Sequence, residues 1–169
     1  VDCSTVDAAT GEFVGNAVRA AMVAGAADPD KGGFLAAPVS GGWRDCRDGT
    51  LLFLCGGSRA AYDAACVPHG LDAMRHKRWL LGPNPGDAAR AKLMLQVMMG
   101  NIVGSLAEIM ALSKASGLDE RAVLDVLSNS AMGNPLCTAK GKLMMEMKYE
   151  PNFQVYLQQK DLRLALQLA

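Results

Sequence analysis

The segment Phe34-Leu35-Ala36-Ala37-Pro38-Val39-Ser40-Gly41-Gly42 contains the most informative turn in this sequence. An apolar, strand-like run ends at Pro38, which fixes φ and has no N–H group. Ser40 then supplies a hydroxyl, and Gly41 and Gly42 let the backbone approach a ligand closely with its N–H groups directed at it. Such a turn can hold a small carboxylate. A plain loop between a strand and a helix is the alternative interpretation of the same residues.

Around this turn, residues 1–82 alternate short apolar strands with helices. The predicted strands are Val1–Cys3, Phe34–Ala37, Thr50–Cys55 and Arg78–Leu81, and the predicted helix caps are Ser4 or Thr5 and Ser58. The basic run Arg75–Arg78 is interpreted as a solvated loop before the last strand. This alternation indicates an α/β unit with a largely parallel sheet. No G-x-G-x-x-G motif occurs in the sequence, so the usual dinucleotide-binding opening is absent from it.

After Gly82–Gly86 the pattern becomes purely helical. Asp87–Ser116 is one long helical segment, ended by Gly117, and its apolar residues cover most of its circumference. A helix that is apolar nearly all round is expected to be a buried central helix. Shorter helices are predicted from Asp119 to about Ser128, from Pro135 to Lys148 and from Gln154 onward. The predicted fold class is therefore α/β followed by all-α, with domains at residues 1–82 and 83–169.

Composition excludes several classes of function. Seventeen basic and seventeen acidic residues cancel, which argues against nucleic acid as the main partner. Five cysteines without a C-x-x-C pair, beside only two histidines, do not predict a zinc site. Free thiols fit a reducing compartment, cytoplasm or organelle matrix, rather than secretion, and no signal peptide is recognisable. The longest apolar stretch, Leu93–Ala107, is expected to be too short to span a membrane.

Two polar groups do not fit an apolar core. Lys92 and Gln96 share one face of the long helix at spacing i, i+4. Lys92 either extends its ammonium to solvent from the helix start or directs it into a cleft between the predicted domains. Lys160 and Asp161 form a second polar patch, for which a solvated helix face is the simpler interpretation.

Together these residues resemble the β-hydroxyacid dehydrogenase family, which includes 3-hydroxyisobutyrate dehydrogenase and the glyoxylate/succinic semialdehyde reductases. The four matching segments are Asp2–Val6 (D-x-S-T), Phe34–Gly42 (F-L-x-A-P-V-S-G-G), Gly86–Lys92 (G-x-G-x-x-x-K) and Gln159–Ala165 (K-D-L). They occur in the family's order along the whole chain, and the last helix is most similar to the glyoxylate/succinic semialdehyde reductase branch.

The resemblance implies a Rossmann-like NAD(P)-binding domain, of which residues 1–82 are the C-terminal part, followed by a helical substrate and dimerisation domain. It implies hydride transfer between NADP or NAD and a short carboxylate-bearing substrate, with Lys92 as the catalytic acid or base. Substrate-binding roles fall on Ser40, Gly41, Gly42 and Gln96. Cofactor-binding roles fall on Ser4, Thr5, Phe153, Lys160 and Asp161. A homo-oligomer, or a subunit of a larger assembly, is expected.

The sequence departs from the family pattern at three points. Ala88 replaces the second glycine of the lysine segment, and Gln96 stands where many members have Asn. The Gly-rich phosphate loop of the family is not found in these residues. A non-catalytic remnant of the family, acting as a structural or assembly subunit, is therefore the alternative to an active reductase.

Overall fold

The computed structural model describes residues 1–28 and 31–168. Its strands are β1 (Leu35–Ala36), β2 (Val39–Ser40), β3 (Leu51–Gly57) and β4 (Arg75–Gly82). Its α-helices are α1 (Ala8–Ala24), α2 (Trp43–Arg47), α3 (Arg59–Ala65), α4 (Pro85–Ser116), α5 (Glu120–Asn129), α6 (Pro135–Met145) and α7 (Val155–Ala165). This order of elements, strands with helices and then helices alone, confirms the predicted fold class.

The sheet is built on β3 and is mixed rather than largely parallel. β1 and β2 pair antiparallel with opposite ends of β3, whereas β4 runs parallel to it. The direction follows from the lengths of the connections. Only residues 41–50 separate β2 from β3, which is shorter than the dozen or more residues that a parallel crossover needs. The segment before α1 contributes a single parallel bridge, between Asp2 and Ala36.

Three local predictions are settled by the hydrogen bonds and strand pairing. Ser58 caps α3 as expected, because its side chain accepts from a backbone N–H of the first turn, and Asp119 caps α5 in the same way. The prediction that Ser4 or Thr5 caps the first helix is wrong, since Asp7 does so and accepts from the Thr10 N–H at 2.7 Å. The basic run Arg75–Arg78 is part of β4 and not a loop.

The core of the sheet lies on one face of β3. Leu51, Phe53 and Cys55 alternate along this strand and pack with Leu35 and Ala61. On the other face, the start of α4 approaches β3 at Gly56. A Cβ at Gly56 would lie 2.6 Å from the Asn84 carbonyl oxygen, so only glycine permits this close approach.

Helix α4 is continuous, as predicted, but it is not buried all round. It ends before Gly117, whose φ of 74° is left-handed. Leu93 and Leu106 are fully buried, whereas Met94, Met98 and Leu112 are 64%, 60% and 68% exposed. The apolar circumference of α4 therefore exceeds what the described chain covers. Of the described helices, α4 alone has the length and apolar composition of a membrane span, contrary to expectation, yet core helices of soluble proteins meet the same criterion.

The chain divides into two compact units. One comprises Val1–Gln96 with Val155–Ala169, and the other comprises Val97–Gln154. The second unit has its own small core, in which Leu106 and Met110 of α4 pack against Leu124 of α5. This division describes packing within the chain, and the domain boundary expected at residues 82–83 stays a prediction.

Candidate active site

Lys92 and Gln96 form the centre of a buried polar network in the first unit. They lie one turn apart on α4, and the Lys92 Nζ donates a hydrogen bond to the Gln96 Oε1 at 2.9 Å. Only 8% of Lys92 and 4% of Gln96 is exposed to solvent. The ammonium is therefore held inside the protein, and the interpretation that it extends to solvent is wrong.

Helix α7 supplies the anion of this network. The Gln96 Nε2 donates to the Asp161 Oδ2 at 2.6 Å, and Asp161 is 2% exposed. Lys160 lies next to it, with its Nζ 2.7 Å from the Asp161 Oδ1 and 2.6 Å from the Thr5 carbonyl oxygen, to which it donates. The predicted residues Lys92, Gln96, Asp161, Lys160 and Thr5 thus form one connected chain of contacts.

The environment of Lys92 favours release of its proton. Burial lowers the pKa of the Lys92 ammonium below its ordinary value, the Asp161 carboxylate opposes this by favouring the charged form, and the Lys160 ammonium adds to the lowering. A lysine in this setting keeps a positive charge that can stabilise an anion, and it gives up its proton more readily than a solvated lysine does.

The glycine turn is formed as the sequence predicts, but part of it is already engaged. Ser40 ends β2, and Gly41 has a φ of 128°, a conformation that strongly favours glycine. The Gly42 N–H donates to the Asp45 Oδ2 at 2.7 Å, at the start of α2. In this structure the Gly42 N–H therefore binds the carboxylate of Asp45.

The remaining predicted residues lie outside the Lys92 network. The Ser4 hydroxyl donates to the Asp2 Oδ1 at 2.7 Å. Within the described part of the chain, the Thr5 hydroxyl makes no hydrogen bond, so only the Thr5 carbonyl takes part in the network. Phe153 belongs to the second unit and is 43% exposed.

Gln158 is a member of the network that the sequence interpretation missed. Its Nε2 donates to the Gln96 carbonyl oxygen at 2.8 Å, and its buried Oε1 has no hydrogen-bond donor among the described residues. Gln158 and Asp161 are three residues apart on α7, and this i, i+3 spacing places both side chains on one helix face. That spacing is the feature of the sequence that could have identified Gln158.

Two family models cover most of the chain in tandem. Residues 1–74 match the NAD-binding domain of 6-phosphogluconate dehydrogenase, and residues 86–169 match the NAD-binding model of NADP-dependent 3-hydroxyisobutyrate dehydrogenase. The chain belongs to the β-hydroxyacid dehydrogenase family. Both models are NAD-binding, so NAD or NADP is the cofactor that membership of the family implies.

Individual relatives agree with this assignment. Glyoxylate/succinic semialdehyde reductase 2, chloroplastic, of Arabidopsis thaliana is 37% identical over 100% of this chain and 44% of its own length. Cytokine-like nuclear factor N-PAC of Xenopus tropicalis is 32% identical over 99% of this chain and 29% of its own length. The crystal structure of 3-hydroxyisobutyrate dehydrogenase from Salmonella typhimurium matches with a TM-score of 0.81 and 26% identity, over 98% of this chain and 54% of that one. The chain thus spans about half or less of the length of these relatives.

The residues present fit one end of such a cofactor. The buried Gln158 Oε1 has no hydrogen-bond donor in the described chain, and a nicotinamide riboside offers both amide and hydroxyl donors. Lys160 adds a cationic donor next to Asp161 and the Thr5 carbonyl oxygen. The glycine-rich motif that binds the cofactor phosphates does not occur among the 169 residues.

Proposed function

We propose that this chain forms the catalytic part of an NAD(P)-dependent reductase of short acids that carry an aldehyde or ketone, of the glyoxylate or succinic semialdehyde type. The observation that carries the proposal is the buried ammonium of Lys92, fixed through Gln96 to the Asp161 carboxylate. A scaffold has no evident need for a buried lysine, which costs free energy unless it is paired.

Lys92 acts as the general acid in the direction of reduction. Its ammonium donates a proton to the carbonyl oxygen as hydride arrives at the carbon, and its charge stabilises the developing alkoxide. Burial lowers the pKa of Lys92 and so assists this proton transfer. In the reverse direction, the neutral amine takes the proton from the substrate hydroxyl.

Substrate and cofactor bind to separate groups of residues. Ser40 with the N–H groups of Gly41 and Gly42 holds the substrate carboxylate, which displaces Asp45 from Gly42. Ser4, Thr5, Lys160 and Asp161 hold the nicotinamide end of NADP or NAD. The nicotinamide, when bound, supplies or accepts the hydride.

Replacement of the lysine tests this proposal. In the full chain, Lys92→Ala is expected to lower kcat for NADPH-dependent reduction of glyoxylate or succinic semialdehyde by at least about a hundredfold, because it removes the proton donor. Cofactor affinity, measured by fluorescence titration, should change little. Lys114→Ala removes an exposed lysine from the same helix and should leave kcat unchanged. Equal kcat in both variants would contradict the assignment of Lys92.

A non-catalytic structural subunit is the second candidate. It is favoured by the relative named as a nuclear factor, which matches almost the whole of this chain. Absence of both NADP binding and turnover in the wild-type protein would support this candidate over the reductase.

A further inference from the structure

Both ends of the Gln96 side chain are engaged by protein groups. Its Oε1 accepts from the Lys92 Nζ at 2.9 Å and its Nε2 donates to the Asp161 Oδ2 at 2.6 Å. One amide proton and one oxygen lone pair of Gln96 are thus used by an anion and a cation. Only the second proton and the second lone pair are left for a substrate. The family resemblance implies that Gln96 contacts the substrate. The two hydrogen bonds instead connect its amide to Lys92 and Asp161.

We propose that Gln96 is a positioning residue, which fixes the Lys92 ammonium and couples it to Asp161 without direct contact between the two charges. The proposal rests on the proposed role of Lys92 as proton donor. A direct Lys–Asp ion pair would bind the proton more strongly, because Coulomb attraction increases as charges approach. The intervening amide keeps the pair oriented while weakening that attraction.

The backbone of Gln96 is fixed as well. The Gln158 Nε2 donates to the Gln96 carbonyl oxygen at 2.8 Å, so α7 binds this one residue through both its main chain and its side chain. Gln96 is 4% exposed, which leaves its side chain little freedom to change rotamer. An Asn at this position is one methylene shorter, so from the same backbone its amide would lie farther from Lys92 and Asp161.

Electrostatics around Lys92 give the proposal a measurable consequence. The charged groups that influence it are the Asp161 carboxylate, which favours the ammonium, and the Lys160 ammonium, which disfavours it, while burial lowers the Lys92 pKa overall. Gln96→Met removes the hydrogen bond to the charged form and is expected to lower the Lys92 pKa further. Gln96→Glu places a carboxylate on the ammonium and is expected to raise it.

The test is an NMR titration of the full chain with isotopically labelled lysine side chains. The Lys92 signal is assigned by its loss in Lys92→Met. The Lys92 pKa is expected to fall by about one pH unit in Gln96→Met and to rise by about one pH unit in Gln96→Glu. Changes of this size are typical when one close charge or hydrogen bond is altered. Gln159→Glu, which adds the same charge at an exposed position of α7, should shift the signal much less. The proposal would be overturned if the Lys92 pKa moved in the same direction in both Gln96 variants. It would also be overturned if neither variant shifted that pKa more than Gln159→Glu does.

Kinetics separate positioning from substrate contact. For a positioning residue, Gln96→Asn lowers kcat by about tenfold with KM nearly unchanged, because only the proton transfer is impaired. A rise in KM at unchanged kcat would overturn the proposal in favour of substrate contact. The titration needs no turnover, so its outcome is independent of the reductase activity. An inactive wild-type protein with the expected titration would refute the proposed function alone.

Discussion

Gly41 shows how a single residue determines the conformation of the glycine turn. Its φ of 128° lies where side chains are strained, and an added Cβ would lie 2.9 Å from Leu51 Cδ2 and 3.0 Å from Asp45 Cβ. Leu51 belongs to the core of the sheet, and Asp45 binds the neighbouring Gly42 N–H. A side chain at position 41 would therefore strain the backbone and press on both the core of the sheet and the proposed carboxylate site.

We expect Gly41→Ala to destabilise the protein by about 1–3 kcal/mol, the usual cost of a non-glycine residue in a strained backbone region. It should also raise KM for the acid substrate, since the turn is displaced. Urea unfolding and steady-state kinetics measure the two effects. Gly104→Ala is the matched control, because no atom lies within 4 Å of the added Cβ. Its position in α4 predicts a gain of up to about 1 kcal/mol. Equal stability of the two variants would contradict the strain at Gly41.

Among the elements, α1 depends on its N-cap residue, Asp7, which directly follows the segment Asp2–Val6. Both carboxylate oxygens of Asp7 are used, with Oδ1 accepting from the Thr10 N–H and Oδ2 from the Thr10 hydroxyl, each at 2.7 Å. These hydrogen bonds lower the pKa of Asp7, the bond from the Thr10 hydroxyl most of all. The capping anion also interacts favourably with the positive end of the helix dipole.

We expect Asp7→Ala to cost about 1 kcal/mol of unfolding free energy at neutral pH, as for other N-cap residues. Because the folded-state pKa is lowered, this contribution is present above the unfolded value of about 3.9 and is lost as the pH falls through the folded value. Denaturant unfolding at neutral and acidic pH measures both. Ser4→Ala, at the position where the sequence predicted the cap, should cost less than about 0.5 kcal/mol. A larger loss in Ser4→Ala than in Asp7→Ala would contradict this assignment.

At the scale of the whole molecule, α4 leaves apolar surface uncovered. Met94, Met98 and Leu112 are each at least 60% exposed, and large exposed apolar patches usually mark interaction surfaces. This gives a physical reason for the expected homo-oligomer, which stays a prediction. All five cysteines are free thiols. The compartment itself also stays a prediction.

We expect the chain to self-associate, and Met98→Lys together with Leu112→Lys to weaken that association by at least about tenfold, because two charges are placed on the apolar face. Light scattering coupled to gel filtration, over a range of concentrations, measures the mass. Ser105→Lys adds a charge at an exposed, non-apolar position of the same helix and should have a smaller effect. A wild-type chain that is monomeric at every concentration would contradict the prediction.

Sequence alone predicted the α/β-then-helical order, the continuous α4 and the family, because these depend on local periodicity and on motifs such as Phe34–Gly42. It also singled out Lys92 and Asp161, since charged residues stand out within apolar helices. The cap of α1 was assigned wrongly because Ser4, Thr5 and Asp7 are all acceptable caps, and only the backbone path selects among them.

Tertiary structure decided what the sequence left open. The direction of β1 and β2 depends on which strand they meet, and the burial of α4 depends on what packs against it. The hydrogen bond from Gln96 to Asp161 joins residues 65 positions apart, which no local pattern encodes. The sequence by itself thus determined the glycine turn and the position of Lys92. Folding determined that the Gln96 amide connects Lys92 to Asp161, because hydrogen bonds depend on distances in space.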